Sequence, residues 1–157
     1  LPDTTAEQLK FVMLNESTNE LIYEGKFSIG SDAGIASISL PDNGIQQPLA
    51  VGESYVWYIS VICDEMDPSA DVVTEGYVER VAPLATATAA PTSELPALYA
   101  AEGLWYDAIA ASALLKQDGN DPTAWNTLLD AVELNQLIPV QLLTEDLTPS
   151  AQASTVE

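Results

Sequence analysis

Residues 55–63, YVWYISVIC, are apolar on both of their alternating sets. Tyr55, Trp57, Ile59, Val61 and Cys63 fall on one side of an extended chain, and Val56, Tyr58 and Ile62 on the other. A strand that is apolar on both sides is covered on both, so this one belongs in the centre of a sheet system. Its neighbours in sequence read the same way. Leu9 to Asn15 (LKFVMLN) and Glu20 to Ile29 (ELIYEGKFSI) are strand-favouring runs joined by the short loop Glu16-Ser17-Thr18-Asn19. Gly34 to Leu40 (GIASISL) alternates strictly, with Ala36, Ile38 and Leu40 on one side, and ends in the turn residues Pro41-Asp42-Asn43-Gly44. Val72 to Val81 (VVTEGYVERV) returns after an acidic loop. Five such strands with turn signals between them predict an antiparallel β-sandwich of immunoglobulin-like type over residues 1–82.

Beyond this block the composition changes. Residues 83–93, opening with PLATATAA, are rich in alanine, threonine and proline and read as a linker. Leu95, Leu98, Tyr99, Glu102, Trp105, Tyr106, Ile109 and Ala113 then recur at helical spacing, with Thr92 or Ser93 placed to cap the start. Gly119 is a stop, and Asp121-Pro122 opens a second helix through Trp125, Leu128, Leu129 and Val132. The pair predicts an αα-hairpin over residues 94–143, packed on the sandwich, with Ile138 to Leu143 as a short extended return. Residues 144–157 contain no aromatic side chain and read as a frayed tail. The fold class expected is therefore α+β.

The 157 residues carry 24 acidic and four basic side chains, a formal charge of −20, and no histidine. The charge is spread along the whole chain. It repels phosphate backbones and anionic lipid, so neither nucleic acid nor a membrane surface is an expected partner. No window approaches the roughly 18 apolar residues that a membrane span needs, so no membrane insertion is expected. Lack of histidine removes the commonest general base and transition-metal ligand, and the lone Cys63 can form neither an internal disulfide nor a zinc cluster. Such acidity suits a protein held soluble at high ionic strength or secreted to a surface. The opening at Leu1 reads as that of a processed chain or a fragment.

A longer pattern resembles a known family. It comprises Gly52-x-x-Tyr55-x-Trp57-Tyr58, Cys63-Asp64 and Asp67-x-Ser69-Ala70-Asp71-Val72. Glu75-Gly76-x-x-x-Arg80-Val81, then Tyr99-Ala100-x-x-Gly103-x-Trp105-Tyr106-Asp107-Ala108, and Trp125 with Leu128 and Leu129 complete it. The chain is in this respect similar to the cyanobacterial secreted family called domain of unknown function 928, over nearly all of residues 8–138. The resemblance implies a sandwich followed by a helical part and a place outside the cell or in the envelope. Against that family's pattern, Leu1-Pro2 looks like the end of an aromatic-rich first strand. A sandwich without its first strand would expose an edge that recruits a strand from a neighbouring copy.

Individual residues carry narrower expectations. Asp64, Asp67 and Asp71, in an acidic loop, form a weak Ca²⁺ candidate, although the glycine and bidentate glutamate of an EF-hand are missing; no other cofactor is expected. Asp118-Gly119-Asn120-Asp121 is explained by a helix stop and a cap. Cys63 is expected to be a buried, inert thiol. Arg80, the only arginine, is expected to pair with a carboxylate. Trp57, Trp105 and Trp125, with Tyr58, Tyr99 and Tyr106, are expected to pack as core rather than line a pocket. Asp107 is placed to bond a tryptophan N–H or cap a loop. Asn15-Glu16-Ser17 matches a glycosylation sequon at a hairpin tip.

No acid–base pair or nucleophile is fixed by spacing, so no enzyme is expected, and a carboxylate hydrolase has no pair to name. The expected function is a structural subunit, secreted to the cell surface, that assembles with other copies of itself into a filament. Head-to-tail strand exchange, which does not close on itself, would build it. The alternative is a secreted module that binds a protein or peptide through its helical hairpin.

Overall fold

The computed structural model describes residues 6, 8–29, 33–41, 48–63, 67–119 and 121–143. Leu1, Pro2, Asp64, Asn120 and the expected tail lie outside them. The chain divides into two units, one reaching to Ala82 and the other spanning Pro83–Thr144.

The first unit is an antiparallel sheet of four strands: β1 (Gln8–Asn15), β2 (Leu21–Ser28), β3 (Ser54–Ile62) and β4 (Val72–Glu79), in the order β2-β1-β3-β4. β3 is interior, as its two apolar sides require. Among the described residues there is one sheet, and the fold is α+β. Leu9, Phe11 and Met13 of β1 lie beside Phe27, Gly25 and Tyr23 of β2 and beside Val61, Ile59 and Trp57 of β3. These residues make one face, and with Ala6, Ile29 and Tyr55 they supply the core. Leu9 and Phe27 are almost wholly enclosed, each worth about 1.5–3 kcal/mol of burial.

Gly34 to Leu40 does not join the sheet; only Ile35 forms an isolated bridge. The alternation nevertheless marks the correct inward residues, because Ile38 and Leu40, with Leu49, pack onto the core. Apolar alternation specifies which side chains are covered, whereas a ladder also needs a strand in register alongside.

Asn15 fixes the β1–β2 turn. Its Oδ1 accepts from the Ser17 N–H (3.0 Å), the Ser17 hydroxyl (2.8 Å) and the Thr18 N–H (3.0 Å). Its Nδ2 donates to Glu53 (3.2 Å). Asn19 closes the turn with φ of 56°, a left-handed conformation that asparagine tolerates. The sequon's asparagine is therefore buried and bonded at both ends of its amide.

The second unit contains α1 (Ala85–Thr88), α2 (Leu95–Ala101), α3 (Trp105–Asp118) and α4 (Thr123–Ala131), with short 3₁₀ turns at Thr92–Glu94 and Asn135–Leu137. The expected first long helix is two helices. Gly103 takes φ of +75°, its N–H donates to the Ala100 carbonyl, and the Leu104 N–H donates to the Tyr99 carbonyl. This is a Schellman stop, with an apolar residue directly after the glycine. Neither Thr92 nor Ser93 caps α2 through its side chain; Glu94 occupies the cap position. Gly119 ends α3. Asp121 does not cap α4 directly: its Oδ1 accepts the Thr123 N–H (3.0 Å) and Pro122 takes the cap position. Ile138 to Leu143 begins as turn rather than strand, with a single bridge at Leu142.

Candidate functional site

The sheet's two edges differ, and the hydrogen-bond phase shows which backbone groups each presents. The Arg80 N–H donates to the Glu53 carbonyl (3.1 Å), on the β3 side. Antiparallel pairing alternates, so Val78, Gly76, Thr74 and Val72 turn to β3. Val73, Glu75, Tyr77 and Glu79 consequently turn their N–H and C=O groups away from it. Among the described residues no strand pairs with that outer side of β4.

Several of the residues there are well exposed. Val72 is 65% exposed, Val73 58% and Tyr77 56%. Val72 and Thr74 continue the core face, while Val73, Glu75, Tyr77 and Glu79 occupy the opposite face. Toward its last residues the strand is better anchored. Gly76 stands opposite Trp57, whose indole covers the place where a Cβ would be. Arg80 donates its guanidinium to the Leu49 carbonyl. The expected carboxylate partner of Arg80 is not seen among the described residues; the ion pair there is Lys10 with Glu24 (2.9 Å).

Cys63 is exposed, not buried. β3 ends at Ile62, and the Asp71 carboxylate takes the Cys63 N–H (3.1 Å), so the thiol sits past the covered part of the strand. Asp67 is likewise committed locally: its Oδ1 accepts from the Ser69 hydroxyl (2.6 Å) and N–H (3.1 Å), which hold its carboxyl below the ordinary range. Of the calcium candidates, then, Asp67 and Asp71 each serve a turn, and Asp64 is outside the described residues. No cluster of three metal-ligating side chains occurs among the described residues.

The aromatic residues do not converge on one pocket. Trp57 and Tyr58 lie on opposite faces of the sheet. In the helical unit Trp105 is half-buried at the start of α3, Tyr106 is exposed, and Asp107 occupies the first turn, where a negative charge complements the helix dipole. Trp125 is 3% exposed, with the Lys116 ammonium 5.0 Å from its ring centre. Lys116 also donates to the Ile138 carbonyl (3.2 Å).

In the sequence Val73 and Tyr77 carry no mark, and Val72 and Glu75 enter only as part of the family pattern. Their pattern is that of an ordinary strand, and only the order of strands reveals which one is terminal. No helix among the described residues is long and apolar enough to cross a membrane. No curated protein and no solved structure matches the chain. The model of the family described as Domain of Unknown Function (DUF928) matches residues 1–142, and the chain belongs to that family.

Proposed function

We propose that this protein is a non-enzymatic structural subunit, secreted to the cell surface, that associates with other copies of itself into a filament. The observation that carries the reading is the β4 edge. It presents outward-turned backbone groups over most of a strand's length, flanked by exposed Val72, Val73 and Tyr77. Soluble proteins normally blunt such an edge with proline, lysine or a covering loop; β4 contains neither proline nor lysine. Its glutamates and the overall charge of −20 oppose contact at low salt and are screened at high salt. That combination suits a subunit that stays dispersed until ionic strength rises. No catalytic group and no cofactor are part of this reading.

We also read the sheet as half of an immunoglobulin-like sandwich. Ile38, Leu40 and Leu49 cover the core face where a second sheet would stand. An experimental structure with a second hydrogen-bonded sheet would support it; a core face closed by loops alone would overturn it.

A second reading rests on α3, which exposes Tyr106, Ala110 and Leu114 at i, i+4 and i+8. Such a stripe suits a protein- or peptide-binding module. Negative-stain electron microscopy at about 10 mM and about 0.5 M salt separates the two, since Debye lengths fall from roughly 30 Å to a few ångström over that range. Regular polymers at the higher salt support the structural subunit. Uniform small particles at both would refute it and leave the binding module.

A further inference from the structure

We infer that the β3–β4 half of the core face is a platform for a neutral polysaccharide, with one sugar ring stacked on Trp57; this goes beyond self-association and does not depend on it. Three observations lead to it. The first is the attitude of the indole. A Cβ added to Gly76 would overlap Cζ2 and stand 2.6 Å from Cε2 and 2.9 Å from Cη2, the two atoms that flank it. Approach that close to all three is the approach of a point over the ring, not beside its edge. The indole therefore lies across β4 with one face toward Gly76 and the other turned away from the sheet. Trp57 is only half-buried.

The second observation is the surface beside the ring. Ile59 stands opposite Thr74 and Val61 opposite Val72, so these pairs extend the Trp57–Gly76 row by two steps of about 7 Å each. Ile59 and Val61 are half-buried, while Val72 and Thr74 are exposed. None of the six residues is charged. A wholly apolar ligand needs a pocket that encloses most of it, and an exposed strand offers no such enclosure. A pyranose needs less. Its C–H face is drawn to the electron-rich face of an indole, and its hydroxyls stay in water. The formal charge of −20 turns away phosphorylated and acidic glycans, which leaves neutral ones.

The third observation is a pair of unused polar groups. The Trp57 indole N–H and the Thr74 hydroxyl have no hydrogen-bond partner among the described residues. Neither is shut away from solvent, since the buried, unpartnered side-chain atom among those residues is the Trp125 Nε1. One donor on the edge of the ring and one hydroxyl a single step along β4 are what a stacked sugar needs to fix its orientation.

Co-sedimentation of the full chain with insoluble cellulose, chitin and starch tests this. Retention of the wild type on at least one of the three, with release by the matching soluble oligosaccharide, is the expected result. Trp57→Ala is expected to weaken that retention by about tenfold, and Trp57→Tyr, which restores a flat ring, by about threefold. Thr74→Ala removes one hydroxyl at an exposed position and is expected to weaken it by about threefold without moving the melting temperature. It keeps the test open should Trp57→Ala fail to fold, which thermal melting of each variant reveals. Absence of retention on all three polysaccharides overturns the inference. So does a folded Trp57→Ala, or a Thr74→Ala, held as tightly as the wild type. Self-association is read separately by sedimentation without polysaccharide, so either result there leaves this site standing.

Discussion

Gly76 lacks a side chain because Trp57 occupies the space. An added Cβ would overlap the indole Cζ2 and lie 2.6 Å from Cε2 and 2.9 Å from Cη2. Overpacking of that kind costs about 1–3 kcal/mol. Exchanging glycine for alanine within a strand returns about 0.5–1 kcal/mol through the unfolded chain. The net expectation for Gly76→Ala is a loss of about 1–2 kcal/mol, a fall in melting temperature of roughly 10 °C for a unit of this size. Trp57 is only half-buried, so its ring can move aside, and the loss lies toward the lower end. The assay is urea unfolding of four proteins: wild type, Gly76→Ala, Trp57→Leu and the double variant. If the ring is what Gly76 accommodates, the double variant loses less than the sum of the single ones by about 1 kcal/mol or more. A neutral Gly76→Ala, or losses that simply add, would refute the packing of Trp57 against β4.

Other expectations are independent of that contact. Asn15→Ala removes three bonds that hold the β1–β2 turn and one to Glu53, and should cost about 2–3 kcal/mol in denaturant unfolding; the same buried amide should leave this position unglycosylated by mass spectrometry when the chain is expressed in a glycosylating host. Glu133, with φ of 60°, ends α4 in the left-handed conformation that Gly103 adopts after α2. Glu133→Gly should therefore stabilise the helical unit by about 0.5–1 kcal/mol in calorimetry. Asp67 and Asp121 have carboxyls held low by Ser69 and Thr123. Their contribution is present above the ordinary carboxylate value of 3.8 and lost as pH falls through the lower folded values. Asp121→Asn should flatten the acid limb of a stability–pH profile. Burial raises the Tyr23 hydroxyl above its ordinary 10.0, so its contribution holds below that pH and fades as pH rises through the raised folded value. Tyr23→Phe should weaken that alkaline decline.

Much of the fold was legible in the residues, and the failures have physical causes. The strands from Leu9, from Glu20, from Tyr55 and from Val72 were readable because apolar alternation and turn residues reinforce each other there. Gly34 to Leu40 carries the same alternation, yet its apolar side chains reach the core without a ladder. The break at Gly103 was legible in principle, since a glycine followed by Leu104 is the signature of a Schellman stop; the apolar spacing of Leu95 to Ala113 runs through it unchanged. Cys63 follows apolar neighbours that suggest a covered strand end, whereas Asp71 holds the backbone just beyond the end of β3 and leaves the thiol exposed. Arg80 meets a carbonyl rather than a carboxylate because Leu49, just before the Val51–Gly52 turn, presents its oxygen to the guanidinium. The candidate site depends on strand order, a long-range property that local pattern does not encode.

The parity of β4 supplies the most direct test of self-association through its edge. Val73 turns its N–H outward, so Val73→Pro removes no bond to β3, while a proline there blocks an incoming strand. Thr74→Pro, one residue on, removes a bond to β3 and serves as the destabilised control. Sedimentation and negative-stain microscopy of wild type and Val73→Pro, side by side in about 0.5 M salt where charge repulsion is screened, decide the question. Polymers in the wild type and folded monomers in Val73→Pro are the expected result. Equal polymerisation by a folded Val73→Pro, or a wild type that stays monomeric, would contradict the account.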